Sequence, residues 1–221
     1  MKPRLMVSAL CIASIGMAGC ASNVTQPDEY SGFLSDYSRL KEAKSPSGVE
    51  VMRWVDPKLD LSRYNAVYIE PTQFYPKPQA TTRIPDSTLR GINDYYNQAL
   101  KRELARSLPL ANGPGPGVMV VRAAITAVSS KTQSLKPYEY VPVAFLAAAV
   151  STGTGIRDQE TTLGTEAQFL DGANGKVVAE VVRKGTGKPL SNDSQVMKAD
   201  DVKSVIDGWA SDLHQSYLKL R

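Results

Sequence analysis

The first twenty residues constrain the fold most, because they separate an export signal from the part of the chain that can fold. Met1 to Arg4 carry two basic side chains, Leu5 to Met17 form an uncharged run of apolar or small residues, and small residues follow up to Cys20. This order is typical of a secretory signal peptide. The apolar run has 13 residues, too few to span a bilayer as a helix. The sequence therefore predicts an exported protein whose residues 1–19 are removed.

The last four residues of this signal resemble the lipobox of bacterial lipoproteins. Met17-Ala18-Gly19-Cys20 follows the pattern Leu-(Ala/Ser)-(Gly/Ala)-Cys except at its first position, where Met replaces the usual Leu. The resemblance implies transfer of diacylglycerol to the Cys20 thiol, cleavage before Cys20, and acylation of the new amino group, as by palmitate. An ordinary signal peptide that happens to contain a cysteine is the alternative. Residue 21 is Ala rather than the Asp that usually retains lipoproteins at the inner membrane. We therefore predict a lipid anchor in the outer membrane and a domain that faces the periplasm.

The composition of the remaining chain excludes several functional classes. Cleavage removes Lys2 and Arg4, which lowers the formal net charge of +4 by two, and the basic residues that remain are scattered. Nucleic-acid binding is therefore not favoured. Cys11 leaves with the signal and lipid blocks Cys20, so no free thiol remains. The single histidine, His214, is expected to be structural. We predict no metal site, no cofactor and no enzymatic activity.

Hydrophobic spacing and turn residues predict one domain over residues 32–221, with residues 20–31 as the lipidated cysteine and its linker. The expected fold is α+β: a mixed, mostly antiparallel sheet with a central and a C-terminal helix packed on one face. The predicted elements are a short helix over 32–43, extended segments over 49–54 and 66–69, a helix over 86–108, a strand over 118–128, a hairpin of strands 161–171 and 176–184, and a helix that begins near residues 200–201. The order strand, helix, strand leaves the first strand pairing open to a parallel arrangement.

One apolar segment has no obvious place in this pattern. Residues 143–150 are eight consecutive apolar or small residues between Pro142 and Gly153, and four of them are Ala. We interpret the wider segment 138–155 as a contact surface for a partner or ligand, because small side chains allow close approach. The candidate contact residues are Tyr138, Tyr140, Phe145 and Leu146. A buried crossover helix or strand is the alternative.

Three stretches carry a family resemblance. Trp54 to Pro57, Leu61 to Pro71, and Glu166 to Asp171 continuing into Gly175 to Ala179 resemble a family of bacterial lipoproteins catalogued as domain of unknown function 3313. The resemblance covers residues 30–215. Its motifs form a strand entry and a hairpin, and the family implies no catalytic residues.

The sequence is compatible with three functions. The first is a periplasm-facing interaction or assembly module at the outer membrane, with the membrane and an envelope protein as its partners. The second is a carrier of an apolar ligand or lipid that uses the segment 138–155. The third is an uncharacterised hydrolase, although the sequence has no serine-hydrolase motif of the Gly-x-Ser-x-Gly type.

We expect Cys20→Ser to abolish acylation and to leave the protein unprocessed or soluble, because the thiol is the predicted attachment atom. Metabolic labelling with a palmitate analogue checks this. Cys11→Ser is the matched control, because Cys11 lies inside the apolar run of the signal, and it should keep the label. Persistent labelling of the Cys20→Ser protein would show that another site carries the lipid.

Overall fold

The computed structural model describes residues 24–132, 159–192 and 194–221. Within them the strands are β1 (Lys41–Lys44), β2 (Glu50–Val55), β3 (Ala66–Ile69), β4 (Gln73–Phe74), β5 (Val118–Thr132), β6 (Gln159–Asp171) and β7 (Val177–Thr186), and the helices are α1 (Asp86–Leu104) and α2 (Lys203–Leu220). The signal peptide, Cys20 and the predicted contact residues Tyr138, Tyr140, Phe145 and Leu146 lie outside the described residues.

The strands of the described chain form one mixed sheet. Its order is β1-β2-β7-β6-β5-β3, and β4 lies beside β5. β3 and β4 run parallel to β5, and the other pairings are antiparallel. The parallel pairing follows from α1, which returns the chain between β3 and β5, as such a crossover requires. The predicted α+β class, with a mostly antiparallel sheet, is confirmed.

The β6–β7 hairpin forms as the sequence predicts. Its turn closes when the backbone N–H of Gly175 donates to the carbonyl of Asp171 at 2.7 Å. The Asp171 carboxylate also accepts the N–H of Ala173 at 2.9 Å. Gly175 has a φ of +72°, which a residue without Cβ adopts without steric cost. The turn residues therefore set the register of β6 against β7.

Both helices cover one face of the sheet. The apolar side chains of α1 that share a helical face are buried, namely Leu89, Ile92, Tyr96, Ala99, Leu100 and Leu104. They join alternate residues of the central strands, such as Val121, Ile125, Leu163 and Phe169, in the main core. α1 begins with Asp86 as its first residue, after Pro85, and ends at Leu104, four residues before the predicted end.

The prediction of a helix over residues 32–43 is wrong. Residues 31–39 form bends and turns, and the chain then enters β1. The apolar side chains do become buried, since Leu34 and Leu40 pack with Val182 on the face opposite the helices. Two backbone N–H groups of this segment bond to a side chain instead of to helical carbonyls. The Tyr37 hydroxyl accepts the N–H groups of Gly32 and Leu34 at 2.9 and 3.1 Å. Side-chain acceptors of this kind compete with helix formation.

Residues 24–40 form a continuous segment across the second face of the sheet, which we call the N-terminal strap. Val24 and Thr25 at its beginning are buried. The carboxylate of Glu29 pairs with Lys184 of β7 at 3.0 Å, and the backbone N–H of Ser31 donates to Glu166 of β6 at 2.9 Å. Residues 24–31, which were expected to be linker, are thus packed against the sheet.

Two glycines provide a test of the close approach between the residue that follows β7 and the chain that leads into α2. A Cβ at Gly187 would collide with the carbonyl oxygen of Asp201 and lie 2.7 Å from the Thr161 hydroxyl, whereas a Cβ at Gly208, in the exposed middle of α2, would meet nothing within 4 Å. We expect Gly187→Ala to destabilise the fold by about 1–3 kcal/mol. Gly208→Ala should stabilise it by about 0.5–1 kcal/mol. Thermal denaturation measures both, and equal melting temperatures would contradict the packing described here.

Candidate functional site

The two helices run side by side in the same direction, so their C-terminal ends meet over the sheet. Three contacts along them show this direction: the Thr88 hydroxyl donates to the Met197 carbonyl, the Tyr95 hydroxyl donates to Asp207, and Ser107 bonds to His214. The helix ends lie above the beginnings of β5 and β7 and the end of β6. A gap remains there between the helices and the sheet.

This gap, which we call the helix-end cavity, has a volume of about 80 Å³ and an almost wholly apolar lining. Its base is formed by buried side chains, namely Val67, Leu104, Met119, Val121 and Phe169. Its mouth is formed by side chains that reach solvent, namely Arg53, Leu59, Ser216 and Leu220. Leu220 is 50% exposed, whereas Val67 and Val121 at the base are 1% exposed. An apolar lining of this kind excludes water and accepts apolar groups.

Arg183, which belongs to a buried ion pair, lines one wall of the cavity. Arg183 of β7 is 9% exposed, and its guanidinium lies 3.2 Å from the carboxylate of Asp212 on α2. The same carboxylate accepts the backbone N–H and the hydroxyl of Ser47 at 2.9 and 3.0 Å. Burial lowers the pKa of Arg183, and the charge of Asp212 opposes that effect. Asp212 is therefore fully engaged by the β1–β2 turn and Arg183.

Arg53 places a second positive charge beside this pair. It lies on β2 opposite Val181 of β7, and its proximity further lowers the pKa of Arg183. Within the described part of the chain, the Arg53 side chain has no hydrogen bond or ion pair with another residue. Asp212 compensates the charge of Arg183, whereas Arg53 adds a second guanidinium at the cavity that forms no ion pair with a described carboxylate.

Ser107 and His214 form a side-chain pair at the edge of the same cavity. The Ser107 hydroxyl lies 2.6 Å from Nδ1 of His214, and His214 is 7% exposed. A serine beside a histidine is the beginning of a nucleophile and base arrangement. However, Ser107 follows the C-terminal end of α1, where carbonyl oxygens rather than N–H groups are free. That polarity does not stabilise an oxyanion, and no carboxylate of the described chain bonds to His214.

The opposite face of the sheet contains two buried carboxylates that hold the N-terminal strap. Glu166, 1% exposed, accepts the Tyr37 hydroxyl at 2.5 Å in addition to the Ser31 N–H. Glu180, 0% exposed, accepts Arg39 at 2.9 Å and Gln168 at 3.2 Å. Burial, together with the hydrogen bond to Glu166, raises the pKa of Tyr37 to about 12. Both carboxylates are occupied by contacts that fasten the strap.

The described residues contain neither a metal-binding cluster nor a membrane-spanning helix. No group of three or more His, Cys, Asp or Glu side chains is placed there to hold a metal ion. No described helix is both long enough and apolar enough to cross a membrane.

The sequence prediction and the structure point to different candidate residues. The predicted contact residues lie outside the described chain, so the structure does not place them. His214, expected to be a structural or surface histidine, is buried, and its bond to Ser107 was not foreseen. The residues that sequence reasoning missed are Arg53, Arg183 and Asp212. A signal existed for Arg183, because strand alternation puts it on the helix-facing side with Ala179 and Val181, where a charge needs a partner.

The fold and the N-terminal signal define an α+β domain of the bacterial lipoprotein class. The chain belongs to the family described as protein of unknown function DUF3313, whose model matches residues 29–213. The family resemblance predicted from the sequence is thereby confirmed. The chain is 42% identical over 206 residues to the uncharacterized lipoprotein YdcL of Escherichia coli strains K12 and O157:H7, which covers 93% of this chain and 92% of the relative. Membership of a lipoprotein family implies association with a membrane.

Two solved structures from other bacteria are similar at low identity. One is the PelC dodecamer from Paraburkholderia phytofirmans, with a TM-score of 0.39 and 16% identity over 74% of this chain and 95% of that chain. The other is the minor lipoprotein from Acinetobacter baumannii, with a TM-score of 0.38 and 15% identity over 70% of this chain and 90% of that chain.

The buried Arg183–Asp212 pair leads to a prediction about the stability of the domain. Asp212→Asn keeps the shape of the side chain but leaves the Arg183 charge buried without a carboxylate, which should cost about 3–5 kcal/mol. Asp207→Asn is the matched control, because Asp207 pairs with Arg102 at the surface, where both side chains are more than 40% exposed; its loss should cost about 1 kcal/mol or less. Urea denaturation measures both values. An Asp212→Asn effect as small as that of Asp207→Asn would contradict the buried pair.

Proposed function

We propose that this protein is an outer-membrane lipoprotein whose domain faces the periplasm and acts as an interaction module held close to the bilayer. The proposal rests on how close to Cys20 the folded domain begins along the chain. Val24 is already buried against the domain, and only residues 21–23 separate it from the predicted lipid attachment at Cys20. Even a fully extended chain between Cys20 and Val24 spans at most about 14 Å.

The contacts of the N-terminal strap support a fixed spacing. Its attachment is distributed over the sheet, from the Glu29–Lys184 pair through Glu166 to Arg39 and Glu180. Arg39 also lies over the ring of Trp54 at 3.8 Å, an arrangement that adds a cation–π attraction. Releasing the strap would leave the buried carboxylates of β6 and β7 without their donors, which is costly. The domain therefore works near the membrane rather than on a long flexible linker.

The absence of Asp at position 21 supports delivery to the outer membrane, and the Ser107–His214 geometry supports binding rather than catalysis.

A second candidate function is a carrier of an apolar ligand. The helix-end cavity favours it, because the cavity is apolar, open at one side and formed by residues of both helices and the sheet. This cavity, rather than the segment 138–155, is then the ligand site.

Lengthening the linker tests the proposed interaction module. We expect an insertion of twenty Gly and Ser residues between Ser22 and Asn23 to remove the cross-links that the wild-type protein forms with other envelope components, because the domain then leaves the bilayer surface. In-cell chemical cross-linking followed by mass spectrometry gives the readout. The matched control carries the same insertion after Arg221 and should keep the wild-type pattern.

Fractionation on a density gradient accompanies the cross-linking experiment. Wild-type and both insertion proteins should sediment with outer-membrane markers. Wild-type protein in the inner-membrane fraction would contradict the proposed location. An unchanged cross-linking pattern after insertion at the linker would contradict the fixed spacing to the bilayer.

A further inference from the structure

We propose that the helix-end cavity binds a single-chain anionic amphiphile, with the alkyl end in the apolar base and the acidic head group on Arg53. The proposal rests on the second candidate function, a carrier of an apolar ligand, and names the chemical class of that ligand. The shared chemistry is one saturated chain with a terminal carboxylate or phosphate, as in a fatty acid or a lysophospholipid.

The shape of the cavity selects a single chain. Its volume of about 80 Å³ is smaller than the roughly 150 Å³ of an engineered apolar cavity that binds benzene. Only the end of an alkyl chain fits between Val67, Val121 and Leu104. The remaining methylene groups would lie in the open mouth, along Leu59 and the half-exposed Leu220. A lipid with two chains has no room for the second one.

The charge of the wall selects an anion. Asp212 is committed to Arg183 and Ser47, so Arg53 is the group that still lacks a counter-charge among the described residues. Arg53 is partly exposed at the mouth, where a head group would lie once the chain end occupies the base. A guanidinium offers two parallel N–H donors to a carboxylate or phosphate. A cationic head group would instead face both Arg53 and Arg183.

Binding of three probes that differ only in the head group tests the proposal. The protein used is the chain from residue 20 to 221 with Cys20→Ser, which contains every described element. Dodecanoate, dodecanol and dodecylammonium, each below its micelle concentration, are titrated by calorimetry, and native mass spectrometry gives the stoichiometry. We expect one dodecanoate per chain, bound at least tenfold more tightly than dodecanol, and no binding of dodecylammonium. Lysophosphatidic acid with the same chain, as a fourth probe, separates a phosphate from a carboxylate preference.

Two substitutions then locate the site. Arg53→Gln should reduce dodecanoate affinity at least tenfold, to the level of dodecanol, and leave dodecanol affinity unchanged. Lys77→Gln removes one charge from an exposed position after β4 and should change neither. Ser216→Trp should obstruct the mouth and weaken both ligands, and its thermal transition verifies that the domain remains folded.

Each contrary outcome has a distinct meaning. Equal affinity for dodecanoate and dodecanol, with no effect of Arg53→Gln, overturns the head-group assignment and leaves the carrier function standing. No binding of any probe overturns both. A dimer in native mass spectrometry that Ser216→Trp dissociates overturns the proposal in favour of a second copy of the chain as the occupant.

Discussion

Two buried carboxylates, Glu166 and Glu180, determine how this domain covers its sheet. A carboxylate without access to water must be satisfied by protein donors, and the donors come from the N-terminal strap through Ser31, Tyr37 and Arg39. The helices cover the other face with ordinary apolar packing. The sheet is therefore covered on both faces, on one by the helices and on the other by a strap that supplies hydrogen-bond donors to Glu166 and Glu180 and packs Leu34 and Leu40 against Val182.

Where an element is specified locally, the sequence predicts it. The Asp171 to Gly175 turn, the run Ala66 to Ile69 and the spacing of α1 each encode their own structure, and each is confirmed. The helix predicted over 32–43 fails for a physical reason. Its apolar spacing is real, but the Tyr37 hydroxyl takes the amides of Gly32 and Leu34 and completes its network on Glu166, 129 residues away. A hydrogen bond of that range leaves no trace in a local pattern.

The contacts of the candidate site are also between residues far apart in the sequence, so no local pattern predicts them. Ser107 and His214 are 107 residues apart, and Asp212 meets Ser47 across 165 residues. Alternation in β7 marks Arg183 as a charge on an apolar face, but it cannot name the partner. Arg53 looks like any basic residue of an edge region until β2 is paired with β7. The predicted lipid anchor, by contrast, rests on four consecutive residues, which a sequence pattern can contain in full.

Two strands, β2 and β7, contact the N-terminal strap with one face and line the helix-end cavity with the other. On β2, Trp54 faces the strap and Arg53 faces the cavity; on β7, Glu180 faces the strap while Val181 and Arg183 face the cavity. Successive residues of a strand point to opposite faces, so the residues that hold the N-terminal strap and those that line the cavity are covalent neighbours. A shift of β2 against β7 would disturb the Arg39–Glu180 contact and the Arg53–Arg183 spacing together. The packing of the N-terminal strap and the shape of the apolar cavity therefore depend on the same pair of strands.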